Sequence, residues 1–242
     1  MSGWFNKKPD RPIIMVGEKG WPVRLVPHPR SRRYRLVFDP IVGELRLTMP
    51  QRGSAAKALK WAAEQQQWIA EQTAKSIRPH FVGAGTMLPY DDQMLQVQWQ
   101  ADWPRAPQRR GDELHVGGPE ESLSRRIETW LKSRALTLME QESRILAAQA
   151  GLSVGRVSIG DPRSRWGSCT AQGDLRYSWR LIMAPAHVRR ATVAHEVAHL
   201  KHMDHSPAFH RFVAQLYDGD VDTARQWLRA HGRELHQYRF SR

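Results

Sequence analysis

From Val23 the chain alternates apolar and polar residues through "VRLVPHPRSRRYRLVFDPIVGELRLTMP", with Leu36 and Phe38 before Asp39–Gly43 and Leu45 and Leu47 after it. A period of two on both sides of a turn predicts a β-hairpin. Ser54 then precedes "AAKALKWAAEQQQWIAEQTAKS", where Ala55, Leu59, Ala62, Ala63 and Ile69 keep helical spacing. That predicts one N-capped helix of about five turns. Residues 83–118 set "MLQVQWQADW" and "ELHVGG" among glycines and a proline, which predicts short strands and turns. From Pro119 to Gln149, Leu123, Ile127, Trp130, Leu131, Ala135, Leu138, Ile145 and Leu146 form an apolar stripe at helical spacing, with Gly151 placed to end the helix. "RVSIG" and "DLRYSWRLIM" follow as strand-like runs around a turn-rich segment, and Pro185 opens another helix. The first 22 residues carry Pro, Gly and charge without a period, which predicts a mobile arm. The expected organisation is therefore an arm over 1–22, a β-rich region with one helix over 23–118, and a mixed α+β region over 119–242, the last two able to form one compact unit.

Charge adds a question about partners. Lysine and arginine number 37 against 24 acidic residues, a net +13. The excess lies at the ends: residues 1–80 hold fifteen basic and six acidic side chains, whereas residues 81–120 hold three and six. A positive surface attracts polyanions. Cys169 is the only cysteine, which excludes an intramolecular disulfide and any finger built on two or four cysteines, and fits a reducing, cytoplasmic setting. No apolar run reaches the ~20 residues of a membrane span, and "MSGWFNKKPDRP" lacks the apolar core of a signal peptide, so no membrane association is expected.

The chemistry concentrates in "HEVAHLKHMDHSPAFH". His195 and His199 stand at i and i+4, one turn apart on one helix face, where two imidazoles can bind one ion. Glu196 beside them fits the general base of an H-E-x-x-H motif, which takes a proton from a metal-bound water. A catalytic zinc takes three protein ligands, and His187, His202, His205 and His210 are the candidates for the third. His202 lies seven residues past His195, about 10 Å along a straight helix axis, too far for a shared ion, and His187 fails on the same ground. His210 falls inside the next helix. His205 stands in a break, since Ser206 can cap that helix and Pro207 suits its first position, so it can fold back toward the ion.

With "RWGSC" (Arg165–Cys169), "YSWRLIMAP" (Tyr177–Pro185) and "HEVAHLKHMDHSPAF" (His195–Phe209) in this order, the chain resembles the YgjP-like zinc metallopeptidases, which lie near the SprT and WLM zincins. The N-terminal "RRYRLVFDPIVGELRLTMP" and "QQQWI" extend the resemblance over most of residues 23–217. Ser178, where many relatives carry Asn, and His210, where an aromatic residue is usual, depart from the family pattern. The resemblance implies a zincin-like α+β fold, with residues 119–242 as the catalytic domain, and a His-Glu-x-x-His-x5-His site. In it His195, His199 and His205 hold one Zn2+ per chain and Glu196 is the base.

A zinc-dependent peptidase acting on a peptide or protein is the leading expectation. "RWGSC" and "LRYSWRL" are candidate strand edges for an extended substrate, and Arg165, Tyr177 and Arg180 are candidate oxyanion donors. Cys169 is left out of the chemistry. The charge keeps two alternatives: hydrolysis of a nucleoside triphosphate on the same site, although no phosphate-cradling glycine loop is present, and a nucleic-acid-associated protease or binding module. For the latter, "HPRSRRYR" offers Arg30, Arg32, Arg33 and Arg35 around Tyr34.

Overall fold

The computed structural model describes residues 11–39, 42–74 and 80–240. The chain divides into two compact units, Met1–Pro79 and His80–Arg242. The first holds strands β1 (Ile13–Val16), β2 (Lys19–His28), β3 (Arg35–Asp39) and β4 (Glu44–Pro50), then helices α1 (Ala55–Ala63) and α2 (Gln66–Ala74). The sheet order is β1-β2-β4-β3, with β3 antiparallel and β2 parallel to β4. Its inner face buries Ile14, Trp21, Val23, Leu45, Leu47 and Met49 against Ala58, Ala62 and Ile69 of the helices. Ser54 caps α1 by accepting from the Lys57 amide at 3.4 Å.

Two expectations change here. The arm predicted over 1–22 contains β1 and the start of β2, while residues 1–10 lie outside the described residues. Four residues of strand are too short to show a period, yet Ile14 is buried, and Gly17, at φ +60°, makes the turn back to Lys19. The single five-turn helix is two helices that break at Glu64–Gln65, where the Gln65 side-chain amide donates to the Trp61 carbonyl at 3.3 Å.

The second unit contains β5 (His80–Phe81), β6 (Met87–Tyr90), β7 (Gln93–Trp99), β8 (Gln108–Arg110), β9 (Glu113–Val116) and the long α3 (Leu123–Gln149). After these come β10 (Val157–Gly160), β11 (Gly167–Cys169), β12 (Leu175–Ser178), α4 (Ala186–Ala198), α5 (Pro207–Leu216), α6 (Val221–Leu235) and β13 (Tyr238–Arg239). Two sheets, ordered β6-β7-β9-β8 and β10-β12-β11, share one core with α3 and α4, and β5 pairs with β13. Leu88, Leu95, Val97 and Leu114 lie in the same cluster as Leu123, Ile127, Leu131 and Ala135 of α3. Because that core is continuous, the boundary falls at 79/80 and not at the expected 118/119. Ile145, expected in the α3 stripe, is exposed; Met139, Ser143 and Ala147 take the buried positions.

Helix α4 is buried on nearly every side, as a helix in the centre of a core must be. Its start is held by the two-residue turn between β6 and β7, where Asp91 and Asp92 both take positive φ (45° and 63°). Such turns favour asparagine or aspartate followed by glycine, so an aspartate at the second position, Asp92, carries strain. The two carboxylates offset it: Asp92 accepts from the Ala186 amide at 2.7 Å, and Asp91 from Arg189 at 2.7 Å. The buried Arg189 also donates to Glu142 of α3 at 3.0 Å, which fixes α4 in position along the core.

Candidate metal centre and active site

The α4 helix ends within the motif. His199 is its C-cap, and a bend brings the chain to Ser206, which caps α5 by accepting from the Phe209 amide at 3.4 Å, with Pro207 in the first position. His195, His199 and His205 thereby bring their ligand atoms within 4.8 Å of one another. His195 Nε2 and His205 Nε2 are 3.2 Å apart. Two nitrogens each ~2.0–2.1 Å from a tetrahedral zinc stand about 3.3–3.4 Å apart, so this spacing fits an ion between them. His199 Nδ1 donates to the His202 carbonyl at 2.9 Å, leaving Nε2 with its lone pair for a metal. His202 thus meets the site through its backbone, beyond the end of the helix on which it was expected. Phe209, fully buried, lies 4.9, 4.6 and 4.8 Å from the rings of His195, His199 and His205 and fixes their angles. Burial first, then the neighbouring His199 and His205, push His195 down to about 4, so its imidazole is neutral at pH 7. A donor set of three imidazoles suits zinc.

Glu196 is buried at 5% exposure, and burial pushes its carboxyl up to about 7, with Arg165 pulling the other way. It packs on the backbone of Gly167 at the start of β11: a Cβ there would lie 2.6 Å from Glu196 Cγ. A cavity of about 250 Å³ opens beside His195 and Glu196. Its walls include Arg165 and Trp166, Ala191 and Thr192 of α4, and Val221, Ala224, Arg225 and Leu228 of α6.

A model of the YgjP-like metallopeptidase domain matches residues 32–231. The chain belongs to this family. It is therefore a hydrolase of metallopeptidase type, and the three convergent histidines are where a YgjP-like chain of this sequence can hold a metal. Searches of curated proteins and of solved structures gave no match. Among the described residues, no helix is long and apolar enough to cross a membrane.

Of the three expected oxyanion donors, two are used elsewhere. Tyr177 is buried, with its hydroxyl 2.9 Å from Ser143 Oγ inside the core, and burial raises its pKa further. The Arg180 guanidinium donates to both oxygens of Asp161 (2.7 and 3.0 Å) and to the Leu235 carbonyl (2.7 Å), so it ties the C-terminal end of α6 to the loop after β10. Arg165 remains at the cavity. Of the two candidate edges, β12 is central in its sheet and β11 is the edge. Cys169 is half-buried and its pKa is raised, chiefly by burial. Ser178 Oγ is buried without a hydrogen-bond partner among the described residues.

The other expected contacts, Arg30, Arg32, Arg33 and Arg35, are exposed in the first unit, three in the turn after β2 and Arg35 at the start of β3. Tyr34, expected beside them for stacking, instead packs its ring 5.6 Å from Trp61. The α6 wall was missed by sequence reasoning, although Val221, Ala224 and Leu228 stand at i, i+3 and i+7 and Asp220 is a capping residue. Trp166 gave no signal as a cavity wall. It is held by Gly232 of α6, where a Cβ would lie 2.7 Å from the indole, and by His236, 5.7 Å away.

Proposed function

We infer that the protein is a zinc-dependent peptidase in which His195, His199 and His205 hold the ion and Glu196 is the general base. The observation that carries this reading is the convergence of the three imidazoles at one helix end, with His195 and the buried Glu196 carboxylate lining an open cavity. A zinc ion held there supplies Lewis acidity, which lowers the pKa of water and polarises a carbonyl. Glu196 removes a proton from the attacking water and delivers it to the leaving amine. A pKa near neutrality suits a group that must both take and give a proton.

The edge strand β11, lying against Glu196 through Gly167, offers unpaired backbone groups for an extended peptide. The adjoining cavity, walled by Trp166, Ala224 and Leu228, takes an apolar side chain and excludes water around it. Arg165 supplies positive charge near the developing oxyanion.

Substituting Glu196→Gln keeps size and hydrogen bonding but removes the base. Hydrolysis of a peptide library should fall by about 10²–10⁴-fold with zinc content unchanged. Wild-type turnover by this variant would remove Glu196 from the mechanism.

A further inference from the structure

The first unit has a sheet face that its own helices do not cover. Residues paired across neighbouring strands share a face, and the register sets Arg24 opposite Arg46, Val37 opposite Arg46, and both Val26 and Arg35 opposite Thr48. The inner face carries the other set, Val23, Leu25, Leu36, Phe38, Leu45 and Leu47, which packs on α1 and α2. The outer face therefore holds Arg24, Arg46 and Arg35 on three adjacent strands, and all three are exposed. At ~4.8 Å between strands and ~3.4 Å per residue, their Cα atoms lie within about 13 Å of each other. Sequence reasoning missed Arg24 and Arg46, which are 22 residues apart and meet only through the parallel pairing of β2 with β4.

Like charges directly opposite one another in a sheet are destabilising. Arg24 and Arg46 nevertheless face each other, and neither they nor Arg35 form an ion pair among the described residues. The acidic side chains of this face, Glu44 and Asp39, stand together at its far end, where Arg11 engages Glu44. In the other direction the face runs toward the turn after β2, where the Ser31 amide donates to the His28 carbonyl at 3.1 Å and Arg30, Arg32 and Arg33 project to solvent. The result is a continuous positive stripe that an external anion would stabilise.

We propose that this face binds the phosphate backbone of duplex nucleic acid, with Arg24, Arg46 and Arg35 contacting successive phosphates. The aromatic side chains decide for the duplex. Trp21, Tyr34, Phe38, Trp61 and Trp68 all belong to the inner cluster, so among the described residues the outer face presents no Trp, Tyr or Phe ring on which an unpaired base could stack, and carries an imidazole, His28, at its end. Single-strand binding modes depend on such stacking. Contact through phosphates alone favours the ligand with the denser charge, and it reads no sequence.

The test is fluorescence anisotropy of a short labelled DNA duplex with the full chain at several salt concentrations. Each phosphate contact contributes about 0.9 to the slope of log K against log salt, so three account for roughly a 40-fold loss of affinity between about 50 and 200 mM salt. The variant Arg24→Gln/Arg35→Gln/Arg46→Gln should bind more weakly at low salt, with a slope shallower by about 2–3. Its melting temperature should equal or exceed that of the wild type, because a like-charge pair is removed. Arg125→Gln/Arg211→Gln/Arg229→Gln removes as much charge from exposed positions of the second unit and should leave the slope unchanged. Equal losses in the two variants would overturn the proposal, as would absence of duplex binding at low salt. Tighter binding of a single strand of the same length would overturn it too, as would arginine dependence seen only with vesicles containing phosphatidylserine.

Discussion

Gly167 shows how far a single atom can control the candidate site. The carboxylate of Glu196 lies against its backbone, and an added Cβ would lie 2.6 Å from Cγ and 2.7 Å from Cδ, well inside contact distance. Gly167→Ala must displace the carboxylate, because the strand is held through its pairing with Tyr177. A shift of about 1 Å in a positioned group costs on the order of 10²-fold in turnover. The variant should therefore lose that much kcat while its melting temperature changes little. Wild-type kcat would mean that the carboxylate does not need this position. His202 makes the complementary case, since its contribution to the site is a backbone carbonyl that any residue supplies.

At the level of elements, the local punctuation was legible and the long-range pairings were not. Ser54, Ser206 and Pro207 mark helix starts by chemistry written within four residues, and the structure puts helix starts there. The i, i+4 histidines and the break before His205 belong to the same class of signal. The parallel pairing of β2 with β4, the aspartate turn that anchors α4, and the use of Arg180 by the C-terminal segment depend on contacts 19 to 98 residues apart, which no local period records. This is why Tyr177 and Arg180, reasonable donors by position along the chain, are spent on the core. Arg180 gives an element-scale prediction. Arg180→Met leaves Asp161 and the carbonyls of Leu235 and Tyr238 without their donor, which should cost about 3 kcal/mol in urea unfolding and loosen α6 and β13 in hydrogen exchange. Unchanged stability would show that the ion pair is not structural.

For the whole molecule, pH couples to stability through His236. Burial and the adjacent Arg180 push it down to about 4 in the folded chain, with Asp161 opposing. The unfolded chain takes up the proton near the ordinary value of about 6.5. Stability is then fully present above about pH 6.5 and falls as the pH drops toward 4, because the unfolded state binds more protons in that window. With a chelator present, to separate this from metal loss, the urea midpoint should decline across that range, and less steeply in His236→Gln. Equal slopes would remove His236 as the cause. The central claim concerns the ion, and metal analysis of the purified chain beside His205→Ala and His202→Ala tests it most directly. One zinc per chain in the wild type and in His202→Ala, with zinc lost or held at least about 100-fold more weakly in His205→Ala, is the predicted result. Zinc retained in full by His205→Ala, or lost equally from His202→Ala, would contradict the three-histidine site.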